Sequence, residues 1–136
     1  MKQFIVKNGD GSIEIHRGKL RLRDGQTLHA EVGESYPLPA KDKFRNAWRL
    51  SRGQVKINMA EARKLKKSEL MALKDSKMAE NAAEFNLKLS LAEDTSEIAA
   101  KQQTLNSIEE KIDADLAKRK SVSTIDAYDP FGELGL

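Results

Sequence analysis

Cysteine is missing from this chain altogether, which excludes disulfides, thiolate nucleophiles and cysteine-ligated zinc together. Aromatic residues are scarce, at 5% of 136 positions, and charged residues make up 33%. With a mean hydropathy of -0.61, little material is left for a thick core, and a thin or elongated object is expected. No apolar run approaches the roughly 20 residues that a membrane-spanning helix requires. The N-terminal MKQFIVKNGDG also lacks the apolar segment of a secretory signal, so synthesis in the cytoplasm and no membrane partner are expected. Neither sign of charge is in great excess. The 24 Lys and Arg against 21 Asp and Glu leave a formal charge of +3, far from the footprint of a dedicated nucleic-acid binder.

Catalytic signatures are equally sparse. The two histidines, His16 and His29, fall in a β-rich region, and no Gly-x-Ser-x-Gly, His-x-x-x-His or glycine-rich phosphate loop accompanies them. The acidic pairs Asp113/Asp115 and Glu109/Glu110 read as the solvated face of a charged helix. The chain therefore reads as a non-enzyme with no catalytic residue, metal ligand or cofactor.

What the sequence does contain is local order. Phe4-Ile5-Val6 and Ile13-Glu14-Ile15 flank the turn cluster Asn8-Gly9-Asp10-Gly11-Ser12, a hairpin signal. Leu20 and Leu22, then Asp24-Gly25, then Leu28, Ala30 and Val32 continue the alternation, so residues 1–33 read as an antiparallel meander. Its other face carries Lys19, Arg21, Arg23, Thr27, His29 and Glu31 and is left for water or a partner. Pro37 and Pro39 make residues 36–41 an extended connector. A last strand pair is expected around Trp48 and Val55, across Ser51-Arg52-Gly53.

Asn58 followed by Glu61 is a capping-box pattern that opens a helix. From Met59 to about Leu91 there is neither Gly nor Pro, and Met71, Met78, Ala82, Phe85 and Leu89 make an apolar stripe. Asp94-Thr95-Ser96-Glu97 starts a second helix with Ile98, Leu105, Ile108, Ile112 and Leu116 at heptad-like spacing. Asp115 interrupts that thin seam, so helix pairing is expected to need partner copies. The final SVSTIDAYDPFGELGL reads as an arm whose Ile125, Tyr128, Phe131, Leu134 and Leu136 are apolar enough to dock on something.

The expected class is thus α+β: a β-rich module over residues 1–57, a long two-helix hairpin or coiled coil over 58–120, and an extended C-terminal arm over 121–136. Trp48 stands among Arg45, Arg49, Arg52, Lys56 and a further basic set, Arg63, Lys64, Lys66 and Lys67. A basic groove beside an aromatic ring is one way single-stranded nucleic acid is held, but the acidic second helix cancels most of the field. Trp48 is better read as a plug at the junction of sheet and helix, and second as a partner anchor.

YPLPAKDKFRNAWRLSRGQVKINMAEARK resembles a segment of small proteins encoded among the tail genes of tailed bacteriophages. The matching residues are Phe44, Arg45, Ala47, Trp48, Met59, Ala60, Ala62 and Arg63. EFNLKLSLAEDTSEIAAKQQTL is similar to a second block of that family, through Glu84, Phe85, Asp94, Thr95, Ile98, Ala99, Ala100, Lys101 and Leu105. The resemblance covers about residues 36–112 and leaves out the charged stretch 19–33 and the arm DPFGELGL. It implies a context rather than an activity: a structural component of the virion, made in the bacterial host cytoplasm, that connects or decorates tail, baseplate or fibre subunits. The alternative is a cytoplasmic assembly chaperone left out of the mature particle. The expected partners are other tail or fibre proteins and sister copies, in a homo-oligomer or a hetero-complex. Trp48, Phe85, Ile98, Leu105, Ile108, Ile112, Leu116, Tyr128, Phe131, Leu134 and Leu136 are the expected partner-binding side chains.

Overall fold

Strand β1 (Gln3–Lys7) carries Phe4, Ile5 and Val6 in a row, and that concentration of large apolar side chains decides its place. In a computed structural model, which describes residues 2–39 and 42–136, it is the centre of a three-stranded antiparallel sheet. Strand β2 (Ile13–Arg17) lies on one side of it and β3 (Thr27–Val32) on the other. The order β2-β1-β3 corrects the expected meander, which would have put β2 in the middle. A central strand loses both edges to neighbours, and the strand richest in apolar groups gains most from that position. Ile5 and Val6 are buried accordingly.

Both glycine turns form. Asn8 N–H donates to the Ser12 carbonyl at 2.9 Å, with Gly11 at φ +87° closing the loop. Gln26 N–H reaches the Arg23 carbonyl at 3.1 Å across Asp24-Gly25. Leu20 and Leu22, however, belong to a loop and not to a strand, and Leu22 is exposed. The connector expected over residues 36–41 is irregular through Pro39, while Ala40 and Lys41 lie outside the described residues.

A 3₁₀ turn over Asp42–Ala47 leads into β4 (Trp48–Ser51), which pairs with β5 (Gln54–Ile57) as expected. The two-residue turn uses Arg52 and Gly53, both at positive φ, whose twist suits a tight hairpin. Trp48 is buried with Ile5, Ile13 and Val55, and Tyr36, Leu38, Leu50 and Ile57 pack around them. The indole thus fills the space between the two sheets. Arg45 lies over its ring at 5.4 Å from the centroid.

Helix α1 (Met59–Ser90) runs for 32 residues. It opens as the sequence predicts, with Asn58 Oδ1 accepting the Glu61 N–H at 3.0 Å. It closes without a glycine. Glu93 N–H bonds the Lys88 carbonyl at 2.8 Å and Ala92 N–H the Leu89 carbonyl at 3.2 Å, a Schellman pattern with Ala92 at φ +54°. The chain divides into two compact units, Met1–Leu65 and Lys66–Leu136, with the boundary inside α1.

In the second unit α1 is followed by α2 (Ser96–Asn106), α3 (Ile108–Lys118), α4 (Val122–Asp126) and α5 (Pro130–Leu134). The expected single second helix is broken at Ser107, whose φ -103° and ψ 5° leave the helical range. The expected extended arm is also corrected, because residues 121–136 coil into two short helices. Ser121 Oγ caps α4 by accepting the Thr124 N–H at 3.2 Å. Asp129 Oδ1 caps α5 by accepting the Gly132 N–H at 3.0 Å, with Pro130 in the first turn where no N–H is needed. The described residues therefore form a mixed α+β protein: antiparallel strands first, then one long helix and shorter ones.

Candidate interaction surface

The seam expected to await partner copies is closed within the second unit. Ile98, Leu105, Ile108, Ile112 and Leu116 are buried, and so are Leu70, Ile125, Tyr128, Pro130 and Phe131. Polar contacts tie the C-terminal segment to α1 and α3. Tyr128 Oη donates to Asp115 Oδ2 at 2.6 Å, Lys66 Nζ to the Asp126 carbonyl at 2.9 Å and Lys77 Nζ to the Leu136 carbonyl at 3.3 Å. Arg119 stacks over the Tyr128 ring at 4.6 Å and Lys77 over Phe131 at 5.4 Å. Asp115, the residue that interrupts the heptad spacing, is thus the anchor of the segment that covers it.

Charge follows the same pattern. Lys111 and Tyr128 both bond the Asp115 carboxylate and hold its pKa below the usual range, Lys111 contributing more. Lys67 lies between Asp113 at 2.9 Å and Glu109 at 3.1 Å, which raises its pKa. These links explain how a lysine-rich face of α1 can be covered: the stems supply apolar area while the ammonium groups reach carboxylates and carbonyls. Lys66 is only 4% exposed.

The remaining expected anchors fall elsewhere. Trp48 is buried in the first unit, Phe85 and Leu136 are half-buried, and Leu134 is 41% exposed. Phe85 lines an apolar cleft of about 360 Å³ between the distal part of α1 and α2, shared with Ala82, Ile98, Ala99 and Gln102. Gln102 Nε2 donates to the Met78 carbonyl at 3.0 Å, while its Oε1 is buried without a partner. Beyond the cleft, Leu87, Leu89 and Leu91 are each more than half exposed. Leu87 and Leu91 lie outside the stripe expected for this helix, and their spacing of four puts them on one helical face.

The first unit has a polar site of its own along β2. Glu14 accepts from Arg23 at 2.6 Å, faces His16 at 3.2 Å and also accepts from Gln26, which reaches Asn8 at 2.8 Å. The bond from His16, followed by those from Arg23 and Gln26, lowers the Glu14 pKa. The nearby sequence signal was the alternation Ile13-Glu14-Ile15-His16. Among the described residues no group of three or more His, Asp or Glu side chains gathers to hold a metal ion, and no helix is long and apolar enough to cross a membrane.

Comparison with protein-family models, with curated proteins and with solved structures finds no match to this chain.

Proposed function

We propose that the protein is a non-enzymatic structural component of a tailed-bacteriophage virion, connecting or decorating tail, baseplate or fibre subunits. The context comes from the resemblance of residues 36–112 to small tail-region proteins. The observation that supports a connecting role is the distal end of α1, where Leu87, Leu89 and Leu91 stand more than half exposed. Scattered apolar residues are ordinary on a surface, but Leu87 and Leu91 share one face of this helix end and Leu89 shares the other with Phe85. Covering the exposed half of each leucine would contribute about 1 kcal/mol per side chain.

The contact surface in this reading is therefore the end of α1, and not the buried Ile98–Leu116 seam. Helix pairing with a sister copy in a coiled coil, or with a larger tail subunit, is the form it would take. Repetition around a symmetric tail would strengthen weak contacts, since each further copy binds at high effective concentration. Quantitative mass spectrometry of purified virions tests the assignment. A fixed copy number per particle, lowered by replacing Leu87 and Leu91 with serine, is expected. Absence from the particle, with the protein still bound to unassembled tail or fibre subunits, would make it an assembly chaperone instead. Absence from both would refute a role in the tail.

A further inference from the structure

The three-stranded sheet of the first unit has two edges, and they differ. Strand β3 forms one edge, and its register with β1 shifts between Ile5 and Val6. Such an irregularity twists an edge and discourages the addition of another strand. Strand β2 forms the other edge and pairs with β1 without any shift from Arg17 to Ile13.

The bonding phase of β2 follows from its two ends. Asn8 N–H bonds the Ser12 carbonyl and Gly18 N–H bonds the Lys2 carbonyl, both at 2.9 Å. Antiparallel pairs alternate between bonded and non-bonded. With Val6 opposite Glu14 and Phe4 opposite His16, the bonded pairs are 8/12, 6/14, 4/16 and 2/18. Ile13 and Ile15 therefore direct their N–H and C=O groups away from the sheet. Among the described residues neither of these residues bonds a further segment.

These residues line a groove of about 380 Å³ that runs along Ser12 to His16 and is shared with Asn8, Arg23, Arg45 and Asn46. Its charge is unbalanced. The one carboxylate in it, Glu14, is taken up by Arg23, His16 and Gln26. Arg45 lies over the Trp48 ring and has no carboxylate partner among the described residues. The groove thus offers a ladder of backbone donors and acceptors together with the Arg45 guanidinium.

We propose that the open edge of β2 is a docking groove for an extended, acidic segment of a partner protein, which adds as a strand and sets a carboxylate against Arg45. Strand addition of this kind draws affinity from main-chain bonds and selectivity from the side chains along the groove. The proposal rests on the first unit alone and holds whether or not the protein is carried in virions.

The test uses the full chain, labelled with ¹⁵N, and a pool of short acetylated peptides alternating glutamate with valine or threonine, beside a pool with lysine in place of glutamate. Amide shifts and slowed hydrogen exchange at Ile13 and Ile15 are expected with the acidic pool, with at least tenfold weaker binding of the lysine pool. Arg45→Gln should weaken the acidic pool severalfold while leaving the Ile13 and Ile15 shifts in place at saturation. No shift at these amides with millimolar acidic peptide, or equal binding of the two pools, would overturn the proposal. So would a dimer in light scattering whose pairing protects the same amides without peptide, because β2 would then be closed by a second copy.

Discussion

Replacing Tyr128 with phenylalanine isolates the bond that fastens the C-terminal helices. The ring and its stacking under Arg119 stay, and only the hydroxyl that donates to Asp115 Oδ2 at 2.6 Å is lost. A hydrogen bond to a charged group contributes about 1.5–3 kcal/mol, but Asp115 keeps Lys111 and can be partly rehydrated, so a loss of about 1–2 kcal/mol is expected at neutral pH. The penalty should vary with pH at both ends. Asp115 has a folded pKa below its ordinary value of 3.8, so its contribution is present above that value and fades as pH falls through the folded one. Without the hydroxyl part of that pull is gone, and the gap between the two proteins should narrow in acid. Tyr128 is shifted the other way, upward from 10.0, by burial first and the Asp115 bond second. Its contribution is full below 10.0 and is lost as pH climbs toward the folded value. Phenylalanine cannot ionise, so the gap should narrow in alkali as well. Urea unfolding followed by the helical circular-dichroism signal reads the second unit, while Trp48 fluorescence reads the first and serves as the control. A penalty under about 0.5 kcal/mol at neutral pH, or one unchanged from acid to alkali, would refute the reasoning.

Ile112→Ala should cost about 2–5 kcal/mol by the same assay, because the side chain is wholly buried and deletion leaves a cavity as well as lost transfer energy. Ala92→Gly should stabilise the chain by about 1 kcal/mol, relieving the left-handed backbone at the end of α1, and a melting temperature at or below the parent's would contradict it. Gly132→Ala should cost about 1 kcal/mol, since the new methyl would lie 2.5 Å from Asp129 Oδ2 and push away the carboxylate that caps α5.

Features decided within a few residues were legible in the sequence. The Asn8–Ser12 loop, the Asp24-Gly25 turn, the Arg52-Gly53 hairpin and the Asn58 cap all appear where turn and capping chemistry puts them. Features decided by distant neighbours were not. The pairing of β1 with β3 depends on contacts across the sheet, which no local pattern encodes. The α1 stripe was expected through Met71, Met78, Ala82, Phe85 and Leu89, yet Ala82 and Leu89 are exposed while Lys66 and Leu70 are buried. A scale that counts lysine as polar cannot see its stem being used as cover. The Ser107 break has no glycine or proline to announce it. The caps of α4 and α5 were present as Ser121-Val122-Ser123-Thr124 and Asp129-Pro130, but five-residue helices do not stand alone in water and exist only where tertiary contacts hold them. Burial was the least legible property: of the residues expected to meet a partner, Ile98, Leu105, Ile108, Ile112, Leu116, Tyr128 and Phe131 are buried within the second unit.

Having Ile125, Tyr128 and Phe131 as part of the helical core has a consequence for biosynthesis. Chains leave the ribosome N-terminus first at about 5–20 residues per second, and finished domains fold as units. The sheet residues up to Ile57 emerge early and can settle at once, whereas Ile125, Tyr128 and Phe131 join the helical core only once α4 and α5 have cleared the exit tunnel. Until then Asp115 lacks Tyr128 and Lys66 lacks the Asp126 carbonyl, and the incomplete helical unit is open to a passing chaperone or to a neighbour on the same polysome.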